Sequence, residues 1–464
     1  MKTLPKIVPT REQLLLISDP RPGVKVIRGA AGSGKTTTAL LMLKLQSKVW
    51  LDRKKRQNLE GDVNILVLTF NRTLRGYIED LAQAEIEGIN GLNLTILTFA
   101  KWALSVISSV EVDTKQTAEK IKQLAKHLPL PEDFLYEEID YLTGRFLPSR
   151  LDEYLNCERV GRGRTPRVEK ELRKRIIEEV INPYSAFKKQ NKIVDWNDLP
   201  GRISEASNLP KYQIIIADET QDFSANQMRA IMKCAANPST VIFVMDAAQR
   251  IYPRGFVWNE VGIIGVRNYR LKENHRNTVQ ICRFAKPLFE GLDIGDNGSV
   301  PDLDSCKKEG PMPVILKGRY SQQVAYAIDF IKSYVDLSSK SVGFMHPKGW
   351  GWFDYLKSEL CKASLEFVEI TREDEWPKGP ENIALSTMHS GKGLEFDHVF
   401  LLGFNDETTP HGNEEGDATL ESLRRTLAMA ITRARESVIL GYKPGEASSL
   451  IQFLDKRTYR EQEL

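Results

Sequence analysis

The sequence lacks the features of a membrane or secreted protein. Its 464 residues contain no apolar run near the roughly 18 residues that span a bilayer. Its N-terminus also lacks the pattern of a signal peptide. The cysteines stand singly, without the paired spacing of a disulfide framework or a zinc site, at Cys157, Cys234, Cys282, Cys306 and Cys361. We therefore expect a cytoplasmic protein with free thiols and no membrane partner.

Composition and charge set only broad limits. Hydrophobic residues make up 41% and charged residues 27% of the chain, which is typical of a folded globular protein. A chain of 464 residues is too long for one ordinary core, so we expect about two to four domains. A formal net charge of +3 is too small to indicate a polyanionic partner. Any nucleic-acid site must therefore be sought in local patterns.

One stretch near the N-terminus predicts a phosphate-binding loop. An apolar run at 24–27 precedes it and a helical pattern at 37–43 follows it, and its residues are Gly29, Ala30, Ala31, Gly32, Ser33, Gly34, Lys35 and Thr36. In that setting the glycines let backbone N–H groups face phosphate oxygens, and the following helix adds positive charge. Lys35 would contact the β- and γ-phosphates and Thr36 would hold Mg²⁺. The alternative, a glycine-rich turn that binds nothing, is disfavoured by the strand–loop–helix context.

A later apolar strand pattern ends in two adjacent carboxylates. Residues 212–217 precede Asp218 and Glu219, and carboxylates at the end of a buried strand need a cation or another partner. Beside a phosphate loop, Asp218 would coordinate Mg²⁺ through water. Glu219 would orient and deprotonate the attacking water. The alternative is an acidic surface turn, which the isoleucines before it disfavour.

Other strand patterns also end in polar or aromatic residues. The pattern at 240–245 leads to Gln249, which is placed to sense a γ-phosphate. Tyr252, Phe256 and Trp258 follow it, and they could stack on bases or equally belong to the core.

Two strand patterns in the N-terminal part end in aromatic residues. The pattern at 63–69 is followed by Phe70 and Asn71, and that at 94–98 by Phe99. Open α/β sheets bind ligands at such strand ends, so these are candidate contacts. Before the phosphate loop, Thr10 predicts the start of a short helix. Its Gln13 could hydrogen-bond an adenine edge.

The rest of the chain divides into a helical segment and a second α/β block. Helix-favouring residues dominate from about 103 to 193, and the Gly/Arg-rich stretch at 159–167 predicts a basic loop, either solvated or in contact with phosphates. Strand patterns at 313–316, 342–345, 365–368, 383–386 and 398–402 then alternate with helical patterns such as 322–334 and 352–361. This alternation predicts a second, mostly parallel sheet.

The order of these motifs resembles that of superfamily 1 helicases of the UvrD/Rep/PcrA type. Residues 29–36, 69–71, 98–99, 218–222 and 246–252 match the earlier motifs of that family, and 273–278, 386–396 and 427–435 match the later ones. The resemblance implies an α/β fold of two RecA-like parallel-sheet domains. The first would comprise 1–103 and 194–268, with a mainly helical insertion at 104–193. The second would comprise 269–464.

The resemblance also implies roles for single residues. For ATP it implies adenine contact by Gln13, ribose contact by Glu395, and γ-phosphate contacts by Arg276 and Arg433 from across a cleft. For single-stranded DNA, the implied contacts are Thr69, Phe70, Asn71, Thr98, Phe99, Thr387 and His389, with Tyr252 and Trp258 as further candidates. The implied movement is 3′ to 5′.

The chain departs from the family pattern at two kinds of position. Thr37 stands where an arginine is usual and His275 where a tyrosine is usual, and these family residues sandwich the adenine. We therefore expect weaker discrimination between ATP and GTP than is usual in the family. The short stretch between 370 and 383 also leaves no room for the family's second insertion.

Two functions are compatible with these motifs. The leading one is an ATP-dependent helicase or translocase that acts on single-stranded or forked DNA. The alternative is a DNA-stimulated ATPase switch that gates a protein partner, such as a nuclease of a repair or defence assembly, with little unwinding alone. The missing insertion keeps this alternative open. A phosphate-loop ATPase without nucleic acid is disfavoured by the later motifs.

Overall fold

A computed structural model describes residues 9–29, 32–69, 72–107, 110–159, 166–245, 256–292, 306–349, 351–370, 379–412 and 417–464. Within these ranges the strands form two large parallel sheets and one two-stranded pair. This confirms the expected α/β class. None of the helices in the described ranges has the length and apolar character needed to span a membrane.

Strands and helices alternate along most of the chain. In chain order the strands are β1 (Gly23–Gly29), β2 (Val63–Thr69), β3 (Leu92–Thr98), β4 (Glu111–Val112), β5 (Ile193–Val194), β6 (Tyr212–Ala217), β7 (Ala235–Met245), β8 (Arg267–Leu271), β9 (Val314–Lys317), β10 (Val342–His346), β11 (Val368–Glu369), β12 (Ile383–Thr387), β13 (Phe396–Leu401), β14 (Ala434–Tyr442) and β15 (Arg460–Glu463). The α-helices are α1 (Arg11–Ile17), α2 (Lys35–Arg56), α3 (Arg72–Ile86), α4 (Phe99–Val106), α5 (Thr114–Ala125), α6 (Glu132–Arg145), α7 (Lys170–Arg175), α8 (Asn182–Asn191), α9 (Asp198–Glu205), α10 (Ala225–Lys233), α11 (Val279–Ala285), α12 (Tyr320–Tyr334), α13 (Gly351–Lys362) and α14 (Ala418–Ile431).

The first sheet has the strand order β3-β2-β6-β7-β1-β8, with every neighbouring pair parallel. Alternate residues pack into different layers: Leu66 and Ile215 belong to one core cluster, and Val67 and Ile216 to the other. Because helices cover both faces, its central strands are continuous apolar runs, which is why the sequence pattern located them. The strand β8 pairs with β1, so the expected domain boundary at 268/269 falls inside a strand of this sheet.

The segment between α4 and β6 is mainly helical and has a core of its own. Helices α5, α6 and α8 contribute to a cluster that includes Phe134, Leu142 and Tyr184. The short strands β4 and β5 pair in parallel and bring the two ends of the segment together. Arg159, from the expected basic loop, forms an ion pair of 2.7 Å with the fully buried Glu138. The side chain of Arg159 therefore pairs with a carboxylate in the interior of the segment. Residues 160–165 lie outside the described part of the chain.

The second sheet has the strand order β11-β12-β10-β13-β14-β9-β15 and is parallel throughout. Four of the five strand patterns expected here correspond to β9, β10, β12 and β13 within two residues. The expectation of a strand at 365–368 is wrong except for its last residue. The chain is still leaving α13 there, since Ser364 has a φ of 57° and the N–H of Leu365 donates to the carbonyl of Leu360.

The cysteines differ from expectation in one respect. The sulfur atoms of Cys282 and Cys306 are 2.23 Å apart and form a disulfide, whereas Cys157, Cys234 and Cys361 are free thiols. The pair is separated by 24 residues in sequence. Only the fold brings these residues together, so single cysteine spacings could not indicate the pairing.

Candidate functional site

The candidate phosphate loop connects the end of β1 to the start of α2. Gly34 is the N-cap of α2 and offers no side-chain hydrogen bond, so the first-turn N–H groups have no capping side chain. Such groups bind phosphates readily. The Nζ of Lys35 donates to the carbonyl of Gly29 at 2.9 Å, which places the ammonium group across the loop. Ala30 and Ala31 lie outside the described residues.

Thr36 and Asp218 bring two oxygen ligands together beside this loop. The Oγ1 of Thr36 donates to the Oδ2 of Asp218 at 2.8 Å, and Asp218 is buried at the end of β6. Adjacent oxygens around an octahedral Mg²⁺, with bonds of about 2.0–2.1 Å, lie about 2.9 Å apart. The spacing of these two oxygens therefore fits direct coordination of one Mg²⁺ by both side chains, whereas the sequence led us to expect that Asp218 acts through water.

The two acidic residues have pKa values that are moved in opposite directions. Burial, together with the charge of Glu219, raises the pKa of Asp218 to about 7. Burial also favours the neutral form of Glu219, but the positive charges of Lys392, Arg433 and Lys35 outweigh it and lower its pKa. The pair therefore holds one carboxylate that is ionised at neutral pH and one carboxyl group that would release its proton to solvent when a cation binds.

This raised pKa predicts a pH dependence of stability. Between the ordinary value of 3.8 and about 7, folded Asp218 keeps a proton that the unfolded chain has lost. The stability contributed by Asp218 is therefore full at low pH and lost as the pH rises through 7. In EDTA, the free energy of unfolding by urea should fall less between pH 5 and pH 8 in Asp218→Asn than in the wild type. The exposed Asp152→Asn is the control. Equal pH profiles for the wild type and Asp218→Asn would contradict the raised pKa.

A lysine from the second α/β unit reaches the acidic residues of the first. Lys392 lies between β12 and β13 and is 4% exposed. It forms an ion pair with Asp222, and its Nζ is 3.6 Å from the Oε2 of Glu219. Because Asp222 is fully buried, this contact lies in the interior between the two units. The two sheets thus share one charged cleft.

The two candidate arginine fingers also lie at this cleft. A Cβ on Gly32, which has a φ of +79°, would lie 2.7 Å from the Cβ of Arg276, so the phosphate loop packs directly on that segment. The N–H of His275 donates to the carbonyl of Gly32 at 3.1 Å. Arg433 is 2% exposed, and its charge acts on Glu219. Cations from both units therefore converge beside Lys35.

Glu395, the expected ribose contact, is held by two arginines. It forms an ion pair with Arg276, and its Oε2 accepts from the Nη2 of Arg435 at 2.8 Å. Burial raises the pKa of Glu395, but these two charges outweigh it, and its pKa lies well below the ordinary value. The carboxylate is therefore fixed in its ionised form next to the candidate finger Arg276.

The expected adenine contacts differ in their surroundings. Gln13 is 3% exposed; its Oε1 accepts from the N–H of Thr10 at 2.9 Å, and its Nε2 lies 3.4 Å from the carbonyl of Ser33. Its amide thus completes the cap of α1 and touches the phosphate loop. Thr37 is half-buried in the first turn of α2. His275 is exposed, with its Nε2 3.5 Å from the Oε2 of Glu273.

Two aromatic side chains that were candidates for stacking on bases are core residues. Phe99 is 4% exposed, and its ring packs 5.4 Å from that of Trp102. Trp258 is 9% exposed and packs 5.5 Å from Phe243. The burial of Phe99 argues against stacking on a base in this conformation, and the burial of Trp258 agrees with the core alternative that the sequence left open. An aromatic residue just after a strand fills the core as readily as it meets a ligand, and the sequence pattern is the same for both.

The remaining candidate DNA contacts are polar groups at strand ends. Thr69 is fully buried at the end of β2, and Thr98 caps α4 by accepting from the N–H of Lys101 at 3.4 Å. In the second unit, Thr387 is partly exposed at the end of β12 with its hydroxyl hydrogen-bonded to Ser390, and His389 is exposed two residues later. Their contacts with DNA remain predictions. The candidates that lie outside the described residues are Phe70, Asn71, Gln249 and Tyr252.

Three residues of the cleft received no role from the sequence. Lys392 and Asp222 pair across 170 positions, and Arg435 holds Glu395 across 40. Each of these residues lies inside a stretch that matched a family motif, so the sequence did indicate that the stretch is functional. The sequence could not indicate the partner of each residue, because a charge pair between distant segments leaves no local pattern in a single sequence.

Comparisons with known proteins match both parts of the chain. A family model described as "UvrD/REP helicase N-terminal domain" matches residues 10–256, and one described as "UvrD-like helicase C-terminal domain" matches residues 354–444. ATP-dependent DNA helicase PcrA of Staphylococcus aureus (strain MRSA252) is 46% identical over 236 residues, which cover 50% of this chain and 30% of that protein. ATP-dependent DNA helicase UvrD1 of Mycobacterium leprae (strain TN) is 46% identical over 166 residues, which cover 34% of this chain and 20% of that protein. The matched parts therefore span less than a third of the length of these two relatives.

Proposed function

The chain belongs to the UvrD/REP helicase family, and from this premise we propose that it hydrolyses ATP to move along single-stranded DNA and separate duplexes. The proposed direction is 3′ to 5′, as the family resemblance implies. One observation carries the proposal. Lys35 from the first α/β unit, and Arg276, Lys392 and Arg433 from the segments beyond it, meet at one acidic cleft.

Each charged group has a separate task in the proposed reaction. Phosphoryl transfer spreads negative charge over the γ-phosphate oxygens, and fixed cations stabilise that charge. Lys35 belongs to the candidate phosphate loop and Arg276 packs against Gly32 of the same loop, so both cations would lie beside the phosphates. Glu219 is ionised because of the cations around it, so it can orient a water molecule and accept its proton. Mg²⁺, when held by Thr36 and Asp218, would supply further positive charge to the phosphates.

This arrangement couples chemistry to movement. The cleft is complete only when the two α/β units are close, because Lys392 and Arg433 lie beyond the first sheet. Release of phosphate removes part of the negative charge between the opposing cations, which weakens the attraction between the units and favours their separation. If each unit grips DNA, alternating closure moves one grip past the other. We therefore expect single-stranded DNA to stimulate ATP hydrolysis strongly, and a pure preparation without such stimulation would contradict the proposal.

A second function is favoured by one observation. Only residues 370–382 separate β11 from β12, so the second insertion seen in the family pattern has no room there. The chain could then act as a DNA-stimulated switch that gates a partner such as a nuclease. Unwinding of a forked duplex by the isolated chain separates the two functions. Unwinding supports the helicase, whereas DNA-stimulated hydrolysis without unwinding supports the switch.

Nucleotide selectivity should be weak. Thr37 and the exposed His275 replace the two side chains that enclose adenine in the family pattern, and the amide of Gln13 is engaged by the cap of α1. Because little remains to read the base, kcat/KM for GTP should lie within about tenfold of that for ATP, a difference of about 1.4 kcal/mol. Steady-state hydrolysis of both nucleotides in the presence of oligo(dT) measures this ratio. A strict requirement for ATP would refute the expectation.

A further inference from the structure

Four aromatic rings form a cluster at the carboxyl edge of the second sheet. They belong to His346, Tyr320, Trp352 and Tyr355 and are called here the aromatic cluster. Trp352 stacks on His346 with ring centroids 4.7 Å apart, and Tyr320 meets the edge of Trp352 at 5.3 Å. Tyr355 lies 6.0 Å from Tyr320, and Trp352 and Tyr355 share one face of α13 because they are three residues apart.

The backbone around this cluster is shaped to hold it. Gly403 has a φ of +67°, and a Cβ there would lie 2.8 Å from Cζ3 of Trp352, so only glycine allows the indole to approach. The hydroxyl of Tyr320 donates to the carbonyl of Trp352 at 2.8 Å. The Nδ1 of His346 accepts from the N–H groups of Lys348 and Gly349 at 3.1 and 2.9 Å. Burial lowers the pKa of His346 to about 4, so the ring beneath Trp352 is neutral.

The cluster continues the face on which the candidate DNA contacts of the second unit lie. His346 ends β10 and pairs in register with Thr387 at the end of the parallel strand β12. A Cβ on Gly349 would lie 2.9 Å from Cγ2 of Thr387, so the two segments touch. Tyr355 is 42% exposed and Trp352 is partly exposed. Trp352, which stacks on His346, therefore lies at the same edge of the sheet as Thr387.

We propose that Trp352 and Tyr355 stack on bases of single-stranded DNA and form a grip on the second unit. This inference rests on the proposed function, because it takes DNA as the ligand. Aromatic rings held by a rigid support bind unpaired bases of any sequence, since every base has a stacking face. In the first unit the candidates Phe99 and Trp258 are buried, and Phe256 is partly exposed. The aromatic cluster offers a larger group of supported rings on the second unit.

Stacking and phosphate contact can be told apart by their dependence on salt. A side chain that binds phosphate lowers the salt slope of the affinity when it is removed, whereas loss of a stacking ring leaves that slope unchanged. The test measures the Kd of Tyr355→Ala and Trp352→Ala for labelled oligo(dT) at several salt concentrations. Tyr334→Ala is the matched control. Tyr334 is 77% exposed and ends the 15-residue helix that Tyr320 begins, about 20 Å away.

We expect each of the two variants to bind oligo(dT) about five- to a hundredfold more weakly than the wild type, with an unchanged salt slope. Tyr334→Ala should bind like the wild type. An oligonucleotide with abasic sites keeps its phosphates, so the wild type and the variants should bind it equally. Because Trp352 packs on His346, thermal unfolding must show that Trp352→Ala is folded. If Trp352→Ala is not folded, the test is made with Tyr355→Ala alone, because Tyr355 is exposed.

The outcomes separate this inference from the proposed function. If the wild type binds oligo(dT) and both folded variants bind it equally well, the stacking inference is wrong and the proposed function stands. A reduced salt slope in the variants would also overturn stacking, since it would assign the contact to phosphates. If the wild type does not bind single-stranded DNA, the proposed function itself fails.

Discussion

Replacing Lys35 with Ala should reduce ATP turnover at least about 10³-fold while leaving the binding of single-stranded DNA nearly unchanged. Lys35 is the cation that the phosphate loop contributes, and its Nζ already lies 2.9 Å from the carbonyl of Gly29. No other side chain of the described loop is positively charged. The lost hydrogen bond to Gly29 should cost about 1 kcal/mol of stability, and Lys392 and Arg433 still act on Glu219 when the charge of Lys35 is removed. The protein should therefore fold, bind DNA and fail in catalysis.

The measurement compares DNA-stimulated hydrolysis with the Kd for oligo(dT) and its salt slope. Lys48→Ala is a suitable control, because Lys48 is an exposed lysine on the same helix, α2. It should turn over like the wild type. Residual turnover above about a tenth of the wild-type rate in Lys35→Ala would contradict the role assigned to Lys35. A parallel loss of DNA affinity would show that the loop also supports the DNA-binding surface.

The parts of the fold that the sequence predicted are those set by local patterns. The strands β2 and β6 lie between layers of helices, so they are continuous apolar runs with sharp ends. The loop between β1 and α2 was predictable because its glycines, lysine and threonine are consecutive, and phosphate binding there stays a prediction. Thr10 is the N-cap of α1 as expected, and Gln13, which was expected to contact adenine, completes the cap from three residues away.

The parts that the sequence could not predict depend on contacts between distant segments. Phe99 directly follows a strand, as ligand-binding residues often do, but neighbouring rings enclose it in the core. Lys392 meets Asp222 only because two sheets are opposed, and Cys282 meets Cys306 only through the path of the chain between them. In each case the deciding partner lies outside the local sequence.

The charged residues of the cleft are the strongest basis for the proposed function, because they come from distant segments that only the fold brings together. A phosphate loop alone predicts nucleotide binding, and many unrelated activities share it. Opposed cations from the two α/β units restrict when the units can close. The cations repel each other unless acidic groups or phosphates lie between them. Asp222 and Glu219 occupy that position in this structure through their contacts with Lys392. A triphosphate would compete for the same cations.

Replacing Arg276 with Ala should lower kcat by about 10³- to 10⁵-fold with little change in ADP affinity. Arg276 packs beside Gly32 of the phosphate loop, and its Nε and Nη1 are buried without hydrogen-bond partners. Buried guanidinium N–H groups of this kind gain acceptors when phosphate oxygens arrive, so their contribution is largest where charge develops. Glu395 would keep its bond to Arg435, so the cleft should stay folded.

The design of this test separates charge from geometry. Arg276→Lys keeps the positive charge but loses the planar fork, so it should recover only part of the rate. Arg270→Ala is the matched control, because Arg270 is an exposed arginine on the neighbouring strand β8. If Arg276→Ala weakened ADP binding as much as it lowered kcat, Arg276 would be a ground-state contact. The two α/β units would then close around the nucleotide without an arginine acting on the transition state, and the coupling of hydrolysis to movement would have to rest on Arg433 and Lys392.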